Sequence, residues 1–292
     1  MSSPARNLSQ IHVAVLLFGF AGLFGDPRLL PLTSVAIGFE RSILIVFGRV
    51  GFASVALLLA AVVRRDIFRL LSRRSVLAFA ALGVLLAVHW TTFFQSVQIG
   101  GVALALIAYS TFPVFVAFFE PLFFREKWQP IDVVLASLAL AGVAILTRRF
   151  ELRDRATQGV LWGVASGLTF ALLSVLNRRF VRHHSGMTIA LYQDLFAAAA
   201  LLPFVVADWP ALTLRDVQLL FVLGVLCTAV AHSLFIAGMH GISARTASMI
   251  ACLEPAYGVL FAILFFHEIP PPRTVLGGIL ILGVAFYATL RG

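Results

Sequence analysis

Charge is scarce in this chain of 292 residues: 12% of positions are Asp, Glu, Lys or Arg, against 61% hydrophobic, and mean hydropathy is +1.00. A soluble domain carries about a quarter charged residues, so an ordinary water-facing surface is excluded. The two cysteines, Cys227 and Cys252, fall outside any metal-ligand spacing and read as small buried hydrophobes. H-E-x-x-H, G-x-S-x-G and P-loop patterns are missing, which removes the usual signatures of an intramembrane enzyme and of direct ATP drive. No soluble domain, linker or low-complexity stretch is visible. The opening "MSSPARNLSQ" lacks a signal-peptide pattern, and the first apolar run is expected to serve as an uncleaved insertion signal.

What is present is apolar sequence in runs of about 18–25 residues, long enough to cross a ~30 Å hydrocarbon layer at 1.5 Å per residue. An all-α membrane protein with ten transmembrane helices is expected, over 9–29, 42–63, 75–96, 102–124, 131–148, 158–177, 187–207, 216–238, 244–266 and 273–290. Gly19, Gly22, Gly25 and the Asp26-Pro27 pair are candidates to break the first span, and 29–39 to extend it or lie on the surface. The net charge of +9 is placed by topology, which argues against nucleic acid as its cause. With the N-terminus inside, thirteen Lys/Arg fall on cytoplasmic connections and eight outside, leaving Arg49 within a span. That bias follows the positive-inside rule, although Arg148, Arg149, Arg153 and Arg155 make one outer link basic.

A repeat gives the chain its organisation. "YSTFPVFVAFFEPLFFREKW" at 109–128 returns as "ACLEPAYGVLFAILFFHEIP" at 251–270, an offset of 142 residues. Pro113 matches Pro255, Phe119 matches Phe261, Leu122-Phe123-Phe124 matches Leu264-Phe265-Phe266, and Glu126 matches Glu268. About a third of positions match without a gap over 113–147 against 255–289. The offset carries the fourth span onto the ninth, five spans later. Five is odd, so the copies cross the membrane in opposite directions, and the basic flank of the first copy is lost from the second. Two inverted five-helix repeats, 1–150 and 151–292, are expected, with a site between them near the midplane, as in alternating-access transporters.

Five plus five spans, a proline deep in spans 4 and 9, an acidic residue thirteen positions later, and glycines in the spans that follow resemble the EamA-type branch of the drug/metabolite transporter superfamily. The residues are Pro113 with Glu126, Pro255 with Glu268, Gly142, and Gly277, Gly278 and Gly283; "LEP" at 253–255 looks like the second-repeat pattern. The first copy departs from it with Phe112 where the second has Glu254. The resemblance covers the whole chain and implies a secondary exporter of amino acids, other metabolites or drugs. It implies an integral protein of a bacterial inner membrane, with both termini cytoplasmic, no cofactor, no metal, and a monomer or homodimer as the working unit. The glycines permit close helix contacts within one chain or across a dimer.

Depth selects the candidate site residues. Pro113 and Glu254 lie about ten residues into their spans, near the bilayer centre. Each proline frees backbone polar groups there. Pro113 and Pro255 either shape their helices, with Tyr109, Ser110 and Thr111 re-satisfying the backbone, or line a central cavity. Glu254 is the leading single residue, because a carboxyl at this depth must be paired, solvated or protonated. Structural locking, substrate contact and proton carriage are its three readings. Glu120 lies near the cytoplasmic end, where water or Arg125 can serve it. Gln193 and Asp194 suggest an interior face for span 7.

His89 is expected in the outer leaflet and His232 in the inner one, a layout that disfavours a shared metal ion. Each reads as a cavity-lining or a satisfied interior histidine. Trp90, Phe93 and Trp162 are candidate aromatic walls, with interface anchoring as the plainer role. Arg49 either snorkels to the outer interface or binds a substrate carboxylate. Sparse deep charge favours neutral or aromatic amino acids over phosphorylated cargo. An intramembrane enzyme and a non-transporting receptor are the alternatives of other classes. Proton antiport, facilitated diffusion and exchange all fit the transport reading.

Overall fold

The computed structural model describes residues 4–63, 72–124, 130–146, 151–207, 210–240, 242 and 244–290, and these are all-helical, without strands. Arg64, Arg65, Arg69, Arg125, Glu126, Lys127, Arg148, Arg149 and Arg291 lie outside the described residues. Helix α1 (Pro4–Ala21) tightens into a 3-10 turn at Gly22–Gly25 and stops at Asp26, whose backbone is extended. The first helix thus begins five residues earlier than its hydropathy suggested and ends at the glycine-rich stretch; 29–39 is largely loop and turn rather than an extension. Then follow α2 (Phe39–Val63) and α3 (Arg73–Gly100). The next pass is split into α4 (Val102–Tyr109) and α5 (Phe112–Phe124), and α6 (Pro130–Leu146) completes the first half.

The second half contains α7 (Arg155–Phe180), α8 (Gly186–Val206), and α9 (Leu214–Gly224) joined to α10 (Ala231–Gly238) through a π turn at Val225–Val230. A second split pass follows, α11 (Ala244–Ala251) and α12 (Glu254–Phe266), and α13 (Pro272–Leu290) ends the fold. Seven of the helical runs are long and apolar enough to cross a membrane. Shorter apolar helices at Val133–Leu146, Glu254–Phe266 and Pro272–Val284 accompany them.

The two split passes keep the sequence register residue for residue. Val102–Tyr109 and Ala244–Ala251 are separated by 142 positions, as are Phe112–Phe124 and Glu254–Phe266, and α6 and α13 both open on proline at that offset. Pro113 and Pro255 are each the second residue of their half-helix. Proline is tolerated there, since the first-turn N–H groups have no intrahelical acceptor. At the first break the hydroxyls add to the backbone bonds: Ser110 Oγ donates to Leu106 O at 2.7 Å and Thr111 Oγ1 to Ala108 O at 2.9 Å. The plainer reading of that polar cluster therefore describes its local hydrogen bonding.

Packing crosses between the halves. Helix α3 runs along α7 and α8, α2 along α8, and α1 along α10 and α12. Small residues set the closest approaches. A Cβ on Gly167 of α7 would stand 2.7 Å from Tyr109 O and 2.9 Å from Thr111 Oγ1, so this glycine lets α7 touch the first break directly. Gly142 and Gly277 bring α6 and α13 together within one chain: each would meet the other's carbonyl, at 3.4 and 3.0 Å.

Gly167→Ala is expected to lower the thermal midpoint of the detergent-solubilised protein, at the roughly 1–3 kcal/mol of an overpacked contact. Gly51→Ala, where nothing stands within 4 Å, should leave the midpoint unchanged or raise it.

Candidate functional site

Two stripes at helical spacing build the walls of an interior cavity. Leu86, His89, Trp90 and Phe93 recur at i, i+3, i+4 and i+7 on α3, and Phe170, Leu173, Ser174 and Asn177 do so on α7. Phe18 and Ala21 of α1, Arg49 of α2, Tyr109 at the first break, His232 and Phe235 of α10, and Glu254 at the head of α12 close it. Both halves of the chain therefore contribute side chains. The free volume is about 40 Å³, room for two or three waters. A small-molecule pocket has upwards of roughly 300 Å³, so an organic solute enters only after the walls part.

Arg49 is 2% exposed and does not snorkel. Its guanidinium lies over the Trp90 ring, 3.7 Å from the centroid, and over Phe94 at 5.4 Å. Nε donates to Thr228 Oγ1 at 2.9 Å, and Nη2 reaches Cys227 O at 3.4 Å. The π turn explains that reception. Thr228 Oγ1 donates back to Leu223 O at 2.8 Å, and the widened turn presents the Cys227 carbonyl to the neighbouring arginine. A desolvated guanidinium on an indole face is worth about 2 kcal/mol, which adds to the bonds to Thr228 and Cys227 in offsetting the burial of the cation.

His89 of the uninterrupted α3 and His232 of α10 both line this one cavity. His89 is held through Nδ1. Its Nδ1 is 3.0 Å from Ser166 O and from Ser166 Oγ, and Ser166 Oγ donates to His89 O at 3.1 Å. A carbonyl only accepts, which puts the ring proton on Nδ1. The ring lies against Phe170 and Tyr109, with centroids 5.2 and 5.8 Å apart. His232 stands edge-on to Trp90 at 5.5 Å, with Nδ1 3.6 Å from Asp194 Oδ1. Among the described residues no group of three or more His, Cys, Asp or Glu side chains is arranged to hold a metal ion.

Glu254 is 5% exposed and sits in the first turn of α12, where the helix dipole favours negative charge. The Tyr109 hydroxyl interacts with it, yet its Oε2 has no hydrogen-bond partner. Trp90, Phe93, Tyr109, His232, Glu254, His89 and Arg49 thus meet on one cavity. Ser110, Pro113 and Pro255 are buried at the helix breaks, off the cavity wall. Trp162 is half-buried elsewhere, 5.9 Å from the Phe39 ring. Phe170, Ser174 and Asn177 went unread in the sequence, although their spacing repeats the α3 stripe that carries His89 and Trp90.

Ion pairs join the halves above and below the cavity. Arg28, after α1, pairs with Glu268, beyond α12, at 2.6 Å and with Asp26 at 2.6 Å, and it covers the Phe266 ring at 4.3 Å. The hydrogen bonds it donates to Asp26 and Glu268 push the Arg28 guanidinium further up from its ordinary value, against its partial burial. In the second pair Glu120, only 2% exposed, is met by Arg178 of α7, which also covers the Phe124 ring at 4.5 Å; Arg125, the partner expected from the sequence, lies outside the described residues. Phe124 and Phe266 are equivalent at the 142-residue offset. Gly101, at the start of α4, lies against Glu268, and Glu120 is nineteen residues further along α4–α5. At 1.5 Å per residue the two latches stand about 28 Å apart, at opposite ends.

A helical membrane protein closed around a mixed aromatic and polar cavity, and latched at both ends, belongs structurally with solute carriers. The chain is a member of the EamA-like transporter family, whose model matches residues 10–148 and again 157–290. An uncharacterised transporter of Bacillus subtilis, YxxF, is 23% identical over 96% of this chain and 89% of its own length. An uncharacterised transporter of Archaeoglobus fulgidus is 29% identical over 72% and 74%. A protein of Rickettsia bellii named as an S-adenosylmethionine uptake transporter is 24% identical over 70% and 69%. A solved crystal structure superposes over the full length of both chains with a TM-score of 0.70 at 19% identity, a likeness of fold.

Glu120→Gln is expected to loosen its latch. A cysteine placed at Ser174 should then react several-fold faster with a membrane-impermeant thiol reagent applied from the Arg178 side, about tenfold for each 1.4 kcal/mol removed. Labelling from the Arg28 side is the internal comparison.

Proposed function

We propose that this protein is a secondary transporter exporting small organic metabolites, with neutral or aromatic amino acids as the leading cargo, by alternating access through the central cavity. The observation that carries the reading is a closed cavity lined by both halves, with an inter-half latch at each end. Opening one latch while the other holds exposes Arg49, Trp90 and Glu254 to one side at a time. Arg49 supplies the cation for a solute carboxylate, the Glu254 carboxyl accepts from an ammonium group, and Trp90, Phe93 and Phe170 receive an apolar side chain. The matched breaks at 110–111 and 252–253, and the two family matches along the chain, support a pair of repeats, 1–150 and 151–292, crossing in opposite senses. Ten crossings, a bacterial inner membrane and cytoplasmic termini complete the proposal.

A second reading rests on the unpartnered Glu254 oxygen beside aromatic rings. A sulfonium cation suits such a wall. Uptake of S-adenosylmethionine, the activity named for the Rickettsia relative, is therefore the second candidate.

Purified protein in liposomes loaded with labelled phenylalanine should show saturable efflux above protein-free liposomes. Arg49→Gln should raise the half-saturating concentration about 10- to 100-fold, the 1.5–3 kcal/mol of a charged hydrogen bond. Absence of amino-acid flux together with saturable S-adenosylmethionine uptake would favour the second reading. Covalent turnover of a solute, or binding without flux, would instead indicate an intramembrane enzyme or a receptor. A pH-gradient dependence that disappears in Glu254→Gln places proton coupling at that carboxyl; unchanged flux returns Glu254 to a structural role.

A further inference from the structure

Behind the cavity wall stands a carboxyl that the transport reading does not use. Asp194 of α8 is 0% exposed, and neither of its oxygens has a hydrogen-bond partner. His232 Nδ1 lies 3.6 Å from Oδ1, also without a hydrogen bond, and its ring forms part of the cavity wall. The neighbouring cation is engaged elsewhere: Arg49 is held by Thr228, the Cys227 carbonyl and the Trp90 face. Gln193, next in sequence, donates to Asn177 Oδ1 at 2.6 Å and so is turned to α7.

We infer that Asp194 and His232 form a proton-binding dyad, distinct from Glu254, that takes one proton from water on one side of the membrane and releases it to water on the other. With a proton bound the pair is neutral overall, as a carboxylic acid facing a neutral ring. Without it a bare carboxylate is buried among helices, which is costly at this depth. Only His232 touches the cavity, so the proton exchanges when water reaches that ring, and the closed cavity traps it. No bond other than N–H or O–H forms or breaks. The charged and titratable groups facing the pair are Arg49 of α2 and His89 of α3, with Tyr109 and Glu254 across the cavity. None of these donates a hydrogen bond to Asp194.

Infrared difference spectra of the purified protein in lipid nanodiscs, recorded through a pH titration, read the dyad without any solute. The expected result is a titrating carboxylic-acid carbonyl band that survives Glu254→Gln, is lost in Asp194→Asn, and moves its midpoint by about one pH unit or more in His232→Gln. A band unchanged in Asp194→Asn, or an unmoved midpoint in His232→Gln, overturns the inference. Should Asp194→Asn fail to fold, the Glu254→Gln spectrum isolates the band and His232→Gln alone decides. The inference depends on the transport reading only for its consequence, the loss of pH-gradient stimulation of phenylalanine flux in His232→Gln. Phenylalanine counterflow by the unaltered protein tests that reading separately, so its failure leaves the infrared result standing.

Discussion

Hydrocarbon offers no hydrogen-bond partner, and every polar group in this chain is placed under that constraint. The broken helix at 110–111 is tolerated with the Ser110 and Thr111 hydroxyls adding to its backbone bonds. The π turn is tolerated because Arg49 receives one of its carbonyls, and Arg49 in turn is held by Trp90. His89 is tied to Ser166 on the facing helix. These are not separate ornaments. Arg49 and His89 sit where a neighbouring helix answers them, so such polar residues help fix which faces meet around the cavity.

The exceptions carry the chemistry. Glu254 Oε2 and both oxygens of Asp194 are unanswered by any protein donor among the described residues. A carboxyl left in that state invites a proton or a cationic group, and both carboxyls stand beside the cavity that His232 and Arg49 line. The latches complete the arrangement. Their arginines come from opposite halves and cover repeat-equivalent rings, Phe266 and Phe124, about 28 Å apart. The Arg28 side chain is 48% exposed and the Arg178 side chain 20%, so the second latch is the drier and the less screened of the two. The EamA-like family model, which matches the chain twice, accords with two such ends.

Much of the site was legible before any coordinates. Composition selected a helical membrane protein, the 142-residue echo paired Pro113 with Pro255, each just past a helix break, and hydrocarbon depth singled out Glu254 and Pro113. Seven of the residues chosen on chemistry line the cavity, because ionisable and aromatic groups at depth have few other places to go. Ser110, Pro113 and Pro255 were drawn in by the same depth argument, but they serve the breaks themselves. Trp162 was chosen for its ring alone, and an aromatic near a helix end packs on its neighbour, here Phe39, as readily as on a cavity.

The sequence by itself determined the class, the number of apolar runs, the register of the repeat and which rare polar residues lie deep, since each follows from hydropathy, period and count along one dimension. Tertiary structure alone decided that His89 and His232 share a wall, that Arg49 faces Trp90 rather than the interface, and that Glu120 meets Arg178 of the other half. Those are relations of rotation and depth between helices. A period of 3.6 residues names the face of a helix, and only the packing of side chain against side chain names what that face meets.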